Sequence, residues 1–507
     1  MAKKTNNDQG CCVLTLPLYP EPWQEHIIET RFKIMEHLKN SLIALELRKY
    51  KNICRTKAFR EIEQKIAEAT DKERKALYRQ RQEKLREVGF SEFDFINDMT
   101  PMQKHFQEHF AAQIAHKAAS DVWRAFDKFL FNTGREVHFI RRGTLESIAC
   151  KKIGNGMNYR DGFFEWNGGQ TPNKISLRIR VTEPDTDYER LMLKKPMRYL
   201  RIVRRWMKTR FKYYLQITFA GPPVQKERPI AQGRVGIDIG PRTAAIAAAD
   251  RVELVELADR IDDNHIRKCE LQRKLDASRR RTNPEQFNPD GTIRRYPKGQ
   301  RPRWIKSKNY LEIQGKVREL ERKNAAIRKY QHTCLANHIL SLGTEVYVEN
   351  MNFSGLQHRA KETEKTASGR FKKKKRFGKS LAQKAPSMFL TILESKLNSV
   401  PGGQYHEVIT TSFKASQFDH TDGSYRKKLL KERWARLSNG DSIQRDLYSA
   451  FLLMNSREDL YAADQALCEE TYARFKELHD REIQNLNNSK QQYPSSFGLS
   501  GANPEPA

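Results

Sequence analysis

Gly233-Arg-Val-Gly-Ile-Asp-Ile-Gly240 is an apolar run of strand type that carries one acid, Asp238, between hydrophobic neighbours. A carboxylate so placed needs a partner. A second strand-like run, Thr344-Glu-Val-Tyr-Val-Glu-Asn350, ends in Glu349, and a third acid, Asp446, opens the apolar segment Arg445-Asp-Leu-Tyr-Ser-Ala-Phe-Leu-Leu-Met454. Three acids far apart in sequence, each beside a core-forming segment, point to a metal site. Hard divalent cations such as Mg²⁺ prefer carboxylate oxygens, and a pair of them about 3.5–4 Å apart activates water and stabilises the leaving oxygen of a phosphodiester. Taken singly, each acid reads equally well as a turn former or a helix cap.

The order of the acids resembles the split triad of RuvC-type nucleases, drawn from a first strand, a later strand and a C-terminal helix. The likeness narrows at Ser416-Gln-Phe-Asp-His-Thr-Asp-Gly423 and Arg436-Leu-Ser-Asn-Gly440. These are similar to the Ser-Gln-x-Cys-x-x-Cys-Gly and Cys-x-x-Cys-Gly knuckles of TnpB-type RNA-guided nucleases and compact type V CRISPR effectors. Gly440 precedes Asp446 by the family's six residues, and Arg445 supplies the usual Arg before the last acid. The four cysteines of the family's zinc ribbon are replaced by Asp419, Asp422, Arg436 and Asn439. An Arg in a tetrahedral ligand set repels the ion, so no zinc is expected. An Asp419–Arg436 salt bridge in its place and a plain loss of structure are both open. Should zinc be found, His406 and His420 are the first ligands to examine. Tyr425, Leu429, Leu430, Trp434 and Leu437 have the spacing of a short helix between the former knuckles, with Trp434 buried.

Composition agrees with a nucleic-acid partner. The 507 residues hold 93 Lys and Arg against 62 Asp and Glu, a formal charge of +31. The seven cysteines, at 11, 12, 54, 150, 269, 334 and 468, contain no C-x-x-C pair and read as reduced thiols. No apolar run approaches the roughly 18 residues of a membrane span. No membrane partner and no export are expected, and a bacterial cytosolic or nucleoid location follows from the resemblance.

Pattern divides the chain into a multidomain α+β protein. A strand at 11–18 precedes helical periodicity at Ile28, Phe32, Met35, Leu38, Leu42 and Leu45, and helices are expected over 60–88 and 100–132. Strands are expected at 136–140, 162–166, 175–181, 200–204 and 213–219, suggesting a small barrel. With the resemblance this gives a wedge-like, OB-like β-barrel at 1–22 and 133–232 and a helical recognition lobe at 23–132. A RuvC-like, RNase H-fold α/β nuclease domain follows at 233–410 and 441–477, with a degenerate ribbon at 411–440 and a disordered tail at 478–507.

Basic residues interleave with aromatics between Arg201 and Tyr214, and Arg201, Arg204, Arg205, Lys208 and Arg210 suit phosphate contact beside stacked bases. Ordinary strand packing explains the aromatics as well. Helices at 264–280 and 310–340 flank a basic loop at 281–309 with Arg294, Arg295, Lys298, Arg301 and Arg303. The run Lys372, Lys373, Lys374, Lys375 and Arg376 is either a solvated surface or a strand contact weakened by salt.

The resemblance implies an RNA-guided, Mg²⁺-dependent DNA endonuclease whose partners are a guide RNA and target double-stranded DNA. Asp238, Glu349 and Asp446 would be both catalytic and ligands of two Mg²⁺ ions, and base pairing would supply specificity next to a short DNA motif. Arg445 either contacts the scissile strand or braces the helix start. A transposon or a CRISPR array is an equally good source of the guide, and monomer and homodimer are both open. The rivals are a nuclease-inactive RNA-guided repressor, which typically lacks one or more of the acids, and an RNA-independent DNA transposase.

Overall fold

Strand alternation builds the first of two units, which divide at Val224 in this computed structural model. The structure describes residues 10–130, 134–208, 210–224, 228–297, 299–300, 302–357, 377–427, 432–489 and 491–499. In Cys11–Tyr19 (β1) every second side chain, Cys12, Leu14, Leu16 and Leu18, is buried. It joins Ser147–Ala149 (β2), Met157–Arg160 (β3), Phe163–Asn167 (β4), Ser176–Val181 (β5), Met197–Met207 (β6) and Arg210–Ala220 (β7). The strands form one antiparallel sheet in the order β2-β6-β7-β1-β5-β4-β3. The two outermost strands do not pair with each other, so the sheet is open where the sequence suggests a barrel.

The helices of this unit are Pro22–Ile53 (α1), Lys57–Glu68 (α2), Asp71–Glu87 (α3), Glu92–His105 (α4), Ala112–Leu130 (α5) and Asp187–Leu193 (α6). They do not form a separate lobe. Phe32, Met35 and Leu38 of α1 share one apolar core with Leu16, Trp166 and Ile217 of the sheet. Two buried arginines pin α1 to that sheet. Arg31 donates to the carbonyls of Trp166 (2.8 Å) and Ile175 (2.6 Å), while Arg204 pairs with Glu29. The segment 136–140 is not a strand, because the side chain of Asn40 satisfies both backbone groups of Ile140.

In the second unit Arg234–Ile239 (β8), Thr243–Ala248 (β9), Val252–Glu256 (β10), Glu345–Glu349 (β11) and Gln404–Val408 (β12) make a five-stranded sheet in the order β10-β9-β8-β11-β12. The first three strands run antiparallel, and β11 and β12 run parallel to β8. Two short hairpins follow: Phe418–Asp419 (β13) with Ser424–Tyr425 (β14), then Trp434–Arg436 (β15) with Ser442–Gln444 (β16). The helices are His265–Thr282 (α7), Lys308–Leu342 (α8), Phe353–Gln357 (α9), Phe377–Lys384 (α10), Pro386–Leu397 (α11), Thr410–Phe413 (α12), Arg445–Met454 (α13) and Gln465–Asn488 (α14).

Both faces of the sheet are covered, which is why β9 is buried throughout and apolar after Thr243. Val235, Ile237 and Ile239 pack with α8 and α11, whereas Ala245 and Tyr347 pack with α13 and α14. Of the span 478–507, expected to be disordered, the described residues continue α14 to Asn488 and bury Phe497 against the same core, while 490 and 500–507 lie outside the described residues. The loop after α7 is also built rather than structureless. Buried Asn283 exchanges two hydrogen bonds with the backbone of Ile305, and Phe287 meets Trp304 edge-on. Among the described residues no helix is long and apolar enough to cross a membrane.

Candidate active site

Alternation along β8 decides where the first acid points. Val235, Ile237 and Ile239 face α8 and α11, so Gly236 and Asp238 face α13. Gly236 is required there. A Cβ at this position lies 2.0 Å from the carbonyl oxygen of Ala450 and 2.4 Å from the amide nitrogen of Met454, so any side chain would push α13 away. Ala450 and Asp446 are one turn apart on that helix, and the close approach at Gly236 therefore brings Asp446 towards Asp238.

The second acid reaches the same face through register. Val348 of β11 pairs with Ile237 of β8, so Glu349 and Asp238 are the next residues along neighbouring parallel strands. Val346 and Val348 pack with α8 and α11 while Tyr347 packs with α13, and Glu349 shares the side of Tyr347. The three acids named from the sequence thus converge from β8, β11 and the first turn of α13.

Their electrostatics follow from that convergence. Burial, then the negative fields of Asp446 and Glu349, raise the Asp238 carboxyl well above the usual carboxylate range, and Arg445 offsets only part of this. Burial lifts Glu349 to about 6. Ser449, whose buried hydroxyl has no hydrogen-bond partner among the described residues, lies close enough to Asp238 to favour its charged form.

Asp446 has more support. Arg445 donates to its Oδ1 from Nε (3.2 Å) and Nη2 (3.1 Å), and Arg433 Nη1 lies 3.9 Å from Oδ2. Arg445 also donates from Nη1 to the Glu432 carbonyl (2.9 Å), so it braces the helix start, the second of its two sequence readings. The positive end of α13 adds to the stability of an anion in its first turn.

An all-oxygen, anionic donor set with excess negative charge fits a hard divalent cation. As arranged here the acids are neighbours and not a closed cage: among the described residues no group of three or more His, Cys, Asp or Glu side chains is gathered tightly enough to hold a metal ion.

The former knuckles are joined by hydrogen bonds. Asp419 is buried and accepts from the amide (3.1 Å) and hydroxyl (2.7 Å) of Thr421 through Oδ1, and from the amide of Ser438 (2.9 Å) through Oδ2. The Ser438 hydroxyl donates to Asp422 (2.5 Å), which also pairs with Arg426 at 2.7 Å. Ser438, not Arg436, is therefore the partner of Asp419. Gly423 and Gly440 keep the left-handed turns of their hairpins, with φ of +70° and +93°. The helix expected between the knuckles is not the observed form at Trp434, which sits in β15, is 37% exposed and donates its indole N–H to Gly498 (2.8 Å). Residues 428–431 lie outside the described residues.

Of the expected phosphate contacts in the first unit, Arg204 is excluded. It is 3% exposed, bonds Glu29 and the Leu145 carbonyl, and lies over Phe32 and Phe211. Arg201 is half-buried, whereas Arg205, Lys208 and Arg210 are exposed around the turn between β6 and β7, with Trp206 beside them. Lys372, Lys373, Lys374, Lys375 and Arg376 lie outside the described residues, as do Lys298 and Arg301. Sequence reasoning missed Gly236 and Ser438. Only the first leaves a signal, a glycine among the Val and Ile residues of a strand.

No protein-family model matches the chain, and no curated protein matches it. Among solved structures it is similar to a Cas12f1-sgRNA-target DNA complex, with 11% identity, 88% of this chain and 99% of that chain covered, and a TM-score of 0.47. It is also similar to a CRISPR-Cas12f ternary complex, with 14% identity, coverage of 85% and 82%, and a TM-score of 0.28. A third is the mini-RNA-guided endonuclease CRISPR-Cas_phi3, with 12% identity, coverage of 48% and 49%, and a TM-score of 0.25.

Proposed function

We propose that this chain is an RNA-guided DNA endonuclease with a RuvC-like nuclease domain. One observation carries the reading: acids from β8, β11 and the start of α13 meet on one face of the sheet, with Asp238 raised by burial and then by the other two. A fold does not gather three like charges for stability, so the cluster is built to receive a cation.

Asp238, Glu349 and Asp446 would hold two Mg²⁺ ions. When bound, these supply an activated water and neutralise charge on the departing 3′ oxygen of a phosphodiester. The chain's own residues set the stage for that chemistry. Asp238 and Glu349 are fixed by adjacent strands, and Arg445 with Arg433 keeps Asp446 oriented at the helix start. A guide RNA would pair with one strand of target double-stranded DNA, and exposed Arg205, Lys208 and Arg210 would meet phosphates beside Trp206.

The test is to sequence the RNA that co-purifies with the chain, then to reconstitute the complex and offer it DNA complementary to that RNA. Mg²⁺-dependent cutting of the matched DNA, lost with RNase treatment, is the expected result. RNase-insensitive cutting would overturn the RNA-guided reading in favour of a transposase. Guided binding without any cutting would leave a repressor.

A further inference from the structure

We infer that the metal-free ribbon positions the helix that carries Asp446, through a buried latch between His420 and Tyr448. This rests on the nuclease reading of the site. His420 follows Asp419 at the first former knuckle, and Tyr448 lies two residues after Asp446 on α13. Both are 1% exposed or less.

The Tyr448 hydroxyl is used twice: it accepts from the His420 amide (3.0 Å) and shares a second hydrogen bond with His420 Nδ1 (2.7 Å). Two bonds to one oxygen hold the His420 backbone and ring together on Tyr448. Gln465 of α14 donates to the His420 carbonyl (2.8 Å), which closes the set from a third element. His420 thus has its amide, ring and carbonyl all committed, and both bonds to Tyr448 are buried.

The latch matters because of what α13 has to do. Its sheet-facing side, Asp446 and Ala450, must sit against Gly236 and Asp238. Tyr448 points away from that side, since two residues along a helix turn it by about 200°. A bond made by Tyr448 therefore controls the roll of the helix without entering the site. The second hairpin of the ribbon adds its own grip, as the Arg445 amide donates to the Arg433 carbonyl (2.9 Å). The Asp419–Ser438 bond ties the first hairpin to the second, and both hairpins then act on α13 as one piece.

Tyr448→Phe deletes one oxygen and keeps the ring. Its single-turnover cleavage rate at saturating target should fall about tenfold, while guide-RNA loading and target affinity stay within twofold. Amide exchange at His420 and at Leu447–Ala450 should speed up by about the same factor, a readout independent of nuclease activity. His420→Asn offers an acceptor near the place of Nδ1 and should recover most of the rate that His420→Ala loses. The double variant His420→Ala with Tyr448→Phe should be no worse than His420→Ala alone, because a latch broken once cannot be broken again.

Wild-type cleavage by Tyr448→Phe, additive losses in the double variant, or unchanged exchange at α13 would each overturn the inference. If Tyr448→Phe does not fold, the paired His420→Asn and His420→Ala measurements decide in its place, and failure of Asn to rescue is then the overturning result. A wild-type chain that cuts no matched DNA counts against the nuclease reading itself, so the two failures are told apart.

Discussion

Two sets of acids in the second unit meet opposite fates. At the sheet, burial pushes up the carboxyls of Asp238 and Glu349, and the fields of Asp446 and Glu349 raise Asp238 further. In the ribbon, Asp422 is held well below the usual carboxylate range, first by hydrogen bonds from Ser424 and Ser438. Asp419 is more deeply buried than any of the first set, yet each of its oxygens has donors. The difference lies in the donors and not in the acids. Carboxylates supplied with N–H and O–H groups can stand in for a lost metal, and carboxylates left facing one another await one.

The largest effect should come from breaking the first set. Asp238→Ala, Glu349→Ala or Asp446→Ala should each lower guided cleavage by about 10³-fold or more, because residues acting as one unit fail together. Guided DNA binding, followed by mobility shift, should stay near wild type. Cutting at a near-normal rate by any one of them would remove that acid from the site.

Asp419→Ala should show the contrast from the other side. It takes a buried acceptor away from the Thr421 donors and the Ser438 amide; because Thr421 is half-buried and Ser438 exposed, water replaces part of what is lost, and about 2 kcal/mol of stability should go by denaturant titration. Elemental analysis of the wild type should find no stoichiometric zinc. One zinc per chain would mean that the hydrogen-bonded form is not the working one.

The sharpest form of the contrast is a substitution that stabilises. With Mg²⁺ chelated, Glu349→Gln should raise stability at pH 7 by about 2 kcal/mol, the difference between an ordinary Glu near 4.5 and one lifted to about 6. The sign follows from the raised value. The contribution of Glu349 is fully present below pH 4.5, where it is protonated in both states, and is lost as pH climbs through about 6. The gain from Gln should therefore vanish at pH 4. A destabilised Gln variant at pH 7 would show that Glu349 already has a partner.

The grouping of the three acids was legible in the sequence because each lies within or at the end of an apolar run, and the periodicity of those runs survives folding. Asp238, Glu349 and Asp446 needed only strand order and one helix to meet. What stayed hidden depends on contacts between distant segments. Nothing local tells Arg204 from Arg205, since their neighbours are alike, yet one is buried on Glu29 and the other is exposed. The open sheet was read as a barrel because alternation predicts strands and not whether the outermost two will pair. Ser438 leaves no mark in the sequence, because its part is played by a backbone amide that every residue owns.

Trp434 gives the smallest effect and tests the boundary between ribbon and tail. Apolar spacing predicted a helix and a buried indole, whose loss would cost about 3–5 kcal/mol. At 37% exposure, with one hydrogen bond to the Gly498 carbonyl and an edge-on contact with His479 at 6.0 Å, much less is at stake. Trp434→Phe keeps most of the ring and removes the N–H, so about 1 kcal/mol should be lost. The damage should be local: proteolysis near Phe497 should accelerate, because Gly498 loses its tether, while the Gln444 cap of α13 and cleavage stay intact. A loss of 3 kcal/mol or more, measured by denaturant titration, would place Trp434 in the core after all and return the ribbon to the helical form its spacing suggests.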